Sequence, residues 1–139
     1  MISRLLISVL LLTAGPALAA QPTGVLYDCD ITQKRDRLFW IADKIAIVVK
    51  DDGEVVVFDQ VILRFNEAPL TARVTRNNDR RMVLRWTLRN VVNGANQLTT
   101  AFDYTATLTK SNNRIAVYAS PEGYSDRFSG KGTCTKRTE

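Results

Sequence analysis

The sequence predicts an all-β fold: a single-domain antiparallel meander of about eight strands, forming a small β-barrel or flattened sandwich closed by one disulfide. Three observations predict it. Short apolar–polar alternations recur through the chain, and turn residues separate them at intervals of about 8–12 residues. No segment offers a long amphipathic helix with capping residues. The only two cysteines, Cys29 and Cys134, lie in the first and the last predicted strands.

The start of the chain, residues 1–20, has the pattern of a secretory signal peptide. Arg4 precedes an apolar run at 5–12, and small residues at 17–20 (Ala-Leu-Ala-Ala) form a cleavage boundary. The apolar run is too short to span a bilayer. Residues 21–139 are then expected to form one β domain of ordinary size. We expect an exported protein, in the bacterial periplasm in preference to the extracellular space.

The first predicted strand, at 25–32, alternates apolar with polar residues, as a strand with one buried face does. Runs at 45–49 and 55–58 flank Asp-Asp-Gly at 51–53, which predicts a tight hairpin because glycine accepts a positive φ. A further apolar run at 61–65 is also predicted as a strand.

The segment at 34–44 is the best helical candidate, but it is short and lies between strands. It contains Phe39 and Trp40 beside charged residues. Two interpretations stay open for this aromatic pair, an exposed contact loop or a strand that continues into the core.

Alternation and turn chemistry also predict the C-terminal strands, at 71–76, 80–89, 97–109, 114–119 and 127–135. Most even-numbered residues in two of these strands, 80–89 and 97–109, are apolar, which places Leu98 and several aromatic residues on the core face. Gly130 and Gly132 share the face of Cys134 and predict a bend or a close backbone approach.

Barrel closure would make the first and last strands neighbours and would place a Cys29–Cys134 bond on the closing seam. An oxidising compartment favours such a disulfide. The strand count and the cysteine positions are independent observations that agree.

Composition excludes several chemistries. The chain has no histidine, which removes the commonest general base and metal ligand. The cysteines are expected to be consumed by the disulfide, and no nucleophile elbow or phosphate-binding loop is present. We therefore expect a protein that is not an enzyme and holds no cofactor or metal. The last alternative is a carboxylate-dependent hydrolase. Its candidate catalytic carboxylates are Asp28 with Asp30, Glu122 with Asp126, and Asp103.

Basic charge is concentrated between residues 64 and 89, a segment that contains seven arginines and only two acidic residues. Arg81, Arg85 and Arg89 share one strand face, about 13–14 Å apart in succession, and Arg73 lies on a neighbouring predicted strand. Guanidinium groups bind carboxylates and phosphates bidentately. These four residues therefore predict a binding surface for an anionic partner; the alternative is a solvated outer sheet face.

Candidate partners for this surface are lipid A phosphates, an acidic polysaccharide and an acidic protein. Nucleic acid is not expected, because export argues against it and few aromatic residues interleave the arginines. A membrane-spanning barrel is not expected either, because the outward faces of two strands carry arginines and threonines. The oligomeric state is not predicted.

A second function remains open, a carrier of a small lipid-like or amphipathic ligand. Trp86, Phe102 and Tyr104 are on predicted core faces and could line a lumen. Eight-stranded closed sheets can hold one small ligand, although side chains commonly fill them.

The order of these features, an export signal, about eight strands and a cysteine near each end, resembles small periplasmic β-barrel proteins such as the C-type lysozyme inhibitors. Those inhibitors insert a motif of the type Ser-Gly…Tyr…Trp-x-Lys-Gly into the enzyme cleft. The nearest match here, Gly-Lys-Gly at 130–132, has no tryptophan in front of it. The resemblance is one of layout, and inhibition of lysozyme is not implied.

Overall fold

The computed structural model describes residues 24–35 and 39–138. These residues form a closed antiparallel barrel in which each strand pairs with the next and the eighth pairs with the first. The strands are β1 (Gly24–Lys34), β2 (Lys44–Lys50), β3 (Val55–Asp59), β4 (Leu70–Asn77), β5 (Arg81–Val92), β6 (Leu98–Thr109), β7 (Arg114–Pro121) and β8 (Phe128–Thr138). One short helix, α1 (Gln60–Asn66), follows β3.

The predicted all-β meander is confirmed, and of the two forms considered the chain adopts the closed barrel. The predicted signal peptide, residues 1–20, lies outside the described residues. Over the described ranges, no helix is long and apolar enough to cross a membrane.

The seam between β1 and β8 closes the barrel. Cys29 lies directly opposite Cys134 in the register, and the predicted disulfide joins them. At Gly132 a β-carbon would come within 1.8 Å of the Asp30 carbonyl oxygen, so only glycine fits this close backbone approach. The expected roles of the cysteines and of Gly132 are confirmed, and the disulfide is compatible with an oxidising compartment.

The barrel interior is built from the alternate residues of the strands together with residues 40–42, which precede β2. Trp40 is buried there, with its ring centroid 4.7 Å from that of Phe102, and its carbonyl accepts a hydrogen bond from the Tyr104 hydroxyl at 2.9 Å. Phe39 is 43% exposed. Phe39 is therefore exposed, as the contact-loop interpretation expects, whereas Trp40 lies in the core, as the other interpretation expects. Residues 39–43 form turns and bends and are neither a strand nor a helix.

The prediction of a strand at 61–65 is wrong, because these residues belong to α1. The Asp59 carboxylate accepts a hydrogen bond from the Ile62 amide at 2.7 Å and so caps the helix at its start. Glu67 ends the helix in the left-handed region, at φ 60°. Local capping thus outweighs the β propensity of the branched residues between these two positions. Burial raises the pKa of Asp59, while the hydrogen bonds from the Ile62 and Val61 amides lower it.

The expected core position of Leu98 is also wrong, since its side chain is 62% exposed. Asn90 adopts a positive φ of 56° in the paired strand, and Leu88 and Val91 are both buried on either side of it. The inward-facing positions therefore change from even to odd numbers near the end of β5. On β6, Thr99 is buried instead of Leu98.

We predict that the double substitution Cys29→Ala, Cys134→Ala lowers the free energy of unfolding by about 2–5 kcal/mol, because the unfolded chain regains the entropy of a long loop. Urea titration followed by tryptophan fluorescence measures this change. Reduction of the wild-type protein is the matched control and should give a similar loss. Equal unfolding midpoints for the oxidised wild type and the variant would contradict the prediction.

Candidate functional site

The four arginines of the predicted binding surface all lie on the outside of the barrel and are exposed. Arg73 on β4 is directly opposite Arg85 on β5. Arg81 faces Thr109, and Arg89 faces Ala101, both on β6. The structure therefore brings two of the four residues together and leaves the other two apart along β5.

Local sequence explains why Arg85 points outward. Leu84 and Trp86, its two neighbours on β5, are buried, and successive residues of a strand point to opposite faces. On β4 the register shifts between Val74 and Arg76, and Val74 is 37% exposed. Arg73 and Val74 are thus the last two residues of β4 before the regular pairing is interrupted.

None of the four arginines forms an ion pair with a carboxylate of the described ranges. For Arg73 and Arg85 this matters most, because like charges directly opposite each other in a sheet repel. An external anion would relieve that repulsion and would find both guanidinium groups available.

The arginine pair lines an open groove of about 440 Å³ on the outer face of β4, β5 and β6. The groove is also lined by outward residues of the three strands, Thr71, Thr87, Asp103 and Thr105, and by Trp86 and Tyr104. The Thr87 hydroxyl donates a hydrogen bond to the Asp103 carboxylate at 2.7 Å. We call this feature the Arg73–Arg85 groove.

Sequence reasoning missed the threonines of this groove. Asp103 is one of the candidate carboxylates in the sequence, but its partner Thr87 is not among the predicted site residues. The predicted turn at 93–96 gives only an approximate signal, since counting back equally from it places Thr87 opposite Phe102, whereas the observed loop at 93–97 places Thr87 opposite Asp103. The Arg73–Arg85 pairing had no such signal, because it depends on the irregular register of β4.

The other candidate carboxylates are arranged as surface charges. Asp30 lies 2.7 Å from the Lys44 ammonium group, and Asp28 is within 3.9 Å of it. The hydrogen bond to Asp30, followed by the charges of Asp28 and Asp30, raises the pKa of Lys44. Glu122 and Asp126 are exposed. Across residues 24–35 and 39–138, no group of three or more potential ligands is placed to hold a metal ion.

The predicted lumen residues contact one another in the interior. The rings of Trp86 and Tyr104 stack with centroids 5.3 Å apart, and Phe102 lies 5.6 Å from Tyr104. Burial raises the pKa of the Tyr104 hydroxyl, and the charge of Asp59 raises it further. The buried Trp86 Nε1 has no hydrogen-bond partner in the described part of the chain.

Comparison of the chain with protein-family models, with curated proteins and with solved structures finds no match in any of the three.

We predict that Arg85→Gln raises the urea midpoint of unfolding at low ionic strength, because it removes the repulsion across β4 and β5. The gain should vanish at about 1 M salt, where the Debye length is about 3 Å. Arg81→Gln is the matched control, since Arg81 faces Thr109 and has no opposing charge. A gain that is equal in both variants, or that survives high salt, would contradict the prediction.

Proposed function

We propose that this protein is a non-catalytic exported protein of the bacterial envelope that binds an anionic partner through Arg73, Arg81, Arg85 and Arg89. The observation that carries the proposal is the Arg73–Arg85 pair, two exposed arginines that lie directly opposite each other in the strand register and have no carboxylate partner in the described ranges. The disulfide supports an oxidising compartment such as the periplasm.

Binding would use the two ways in which arginine recognises anions. At close range, the planar guanidinium group donates paired hydrogen bonds to phosphate or carboxylate oxygens. At longer range, Arg81 and Arg89 extend the positive potential along β5 and would steer an anionic partner toward the groove. The affinity should therefore fall steeply as ionic strength rises.

We predict that the quadruple substitution of Arg73, Arg81, Arg85 and Arg89 by Gln lowers the salt concentration at which the protein elutes from immobilised dextran sulfate. The matched control replaces four basic residues outside this surface and removes the same charge: Arg35, Arg114, Lys131 and Lys136, all to Gln. The control should elute close to the wild type. Elution of the two variants at the same salt concentration would contradict the proposal, because net charge alone would then explain retention.

A second candidate function, carriage of a small amphipathic ligand inside the barrel, is supported by the unpaired indole N–H of Trp86. Buried polar groups usually have a hydrogen-bond partner, and a bound acceptor would supply one here. The contacts among Trp86, Phe102 and Tyr104 oppose this function, because they occupy interior space.

Native mass spectrometry of freshly purified protein tests the carrier function. If the barrel carries a ligand, the protein should show an added mass that Trp86→Phe, which removes the N–H group, reduces. The mass of the bare polypeptide, with no uptake of a fluorescent fatty acid, would contradict it.

A further inference from the structure

We propose that the Arg73–Arg85 groove binds a phosphorylated sugar, with the phosphomonoester on the two arginines and sugar hydroxyls on Thr87 and Asp103. This inference rests on the proposed anion-binding function and names the class of ligand that the groove selects. It follows from two rows of outward side chains that differ in chemistry and lie next to each other on the same sheet face.

The first row is cationic. Directly opposite residues in an antiparallel pair have β-carbons about 4.5–5.5 Å apart, so Arg73 and Arg85 can both reach one anionic group. A phosphomonoester carries a charge of about −1.5 to −2 at pH 7 and offers three acceptor oxygens. It can therefore neutralise both guanidinium groups, whereas a carboxylate or a sulfate ester, with a single charge, leaves one of them uncompensated.

The second row is polar and includes an acid. Thr87 is two residues beyond Arg85 on β5, a spacing of about 7 Å along the strand, and Asp103 is directly opposite Thr87 on β6. The Asp103 carboxylate accepts the Thr87 hydroxyl and has further lone pairs for other O–H donors. A neutral hydroxyl is favoured at this row, and a second negative charge is repelled.

Together the rows select a ligand that is anionic at one end and hydroxylated at the other. A phosphorylated monosaccharide has this character, with its phosphate separated from distal hydroxyls by one ring. The groove volume of about 440 Å³ suits a ligand of this size, within the range of about 300–1,000 Å³ for small-molecule sites. A polyphosphate or another chain of repeated charges would bring an anion against Asp103.

Isothermal titration of the oxidised protein with glucose 6-phosphate, inorganic phosphate and glucose 6-sulfate tests the proposal. We expect glucose 6-phosphate to bind about tenfold more tightly than either of the others. Arg73→Gln and Arg85→Gln should each weaken both phosphate ligands by about tenfold or more. Circular dichroism of each variant establishes that the barrel is retained.

The second row is tested by its own variants. Thr87→Val and Asp103→Asn should reduce the preference for glucose 6-phosphate over inorganic phosphate to within about twofold. Asp103→Asn should also strengthen the binding of inorganic phosphate, because it removes a nearby negative charge. Thr107→Val, an outward threonine of β6 that does not line the groove, is the matched control and should keep the full preference.

The outcomes separate this inference from the proposed function. Equal binding of glucose 6-phosphate and inorganic phosphate, lost in Arg85→Gln, would overturn the sugar specificity and leave anion binding standing. Binding of the probes that is unchanged by both arginine substitutions would overturn both. No binding of any of the three probes would overturn the sugar phosphate as ligand, and the dextran sulfate elution would then decide the proposed function separately.

Vesicles that contain lipid A distinguish the source of the sugar phosphate. Binding to these vesicles that glucose 6-phosphate competes away supports a glycolipid headgroup as the source. Binding of the soluble sugar phosphate alone supports a free metabolite. Both results support the proposed ligand class.

Discussion

The pairing of β1 with β8 is the constraint on which the rest of the structure depends. It joins strands from opposite ends of the sequence, so the two strand edges that an open sheet would expose are paired with each other. The disulfide between Cys29 and Cys134 lies within this seam, across a sequence separation of 105 residues. Gly132 permits the close approach of the two backbones, since a β-carbon there would meet the Asp30 carbonyl oxygen.

Closure also positions the candidate site. In a closed barrel each strand is paired on both sides, so the register of β4, β5 and β6 is set by their neighbours as well as by their own turns. Burial of Leu84 and Trp86 orients Arg85 outward and holds it opposite Arg73. The favourable burial of these large apolar side chains is well able to offset the repulsion of two exposed cations. Packing of these core side chains therefore maintains the arrangement of the arginines in the groove.

The amino-acid sequence was sufficient to predict the strands with strong period-two alternation, because burial of one strand face produces that alternation. It was also sufficient to predict the disulfide, because the chain has only two cysteines, one in the first and one in the last predicted strand. The sequence was insufficient for predicting the structure where a single residue changes the conformation that the surrounding pattern predicts. Asp59 converts an apolar β-branched run into α1 by capping it, and Asn90 shifts the inward phase near Leu98. The sequence predicts a surface of four arginines, but the position of Arg73 opposite Arg85 depends on the register of β4, which no local sequence pattern indicates.

The closed barrel gathers Arg73 and Arg85 with Thr87 and Asp103 along one groove on its outer wall. A two-dimensional ¹H–¹⁵N NMR titration of the oxidised protein with glucose 6-phosphate would locate binding in this groove, because each amide signal depends on the surroundings of its own residue. We expect the largest changes in chemical shift at the groove residues of β4, β5 and β6, at 71–73, 85–87 and 103–105. Changes centred on β1, β7 and β8, or spread evenly over the basic residues, would contradict it.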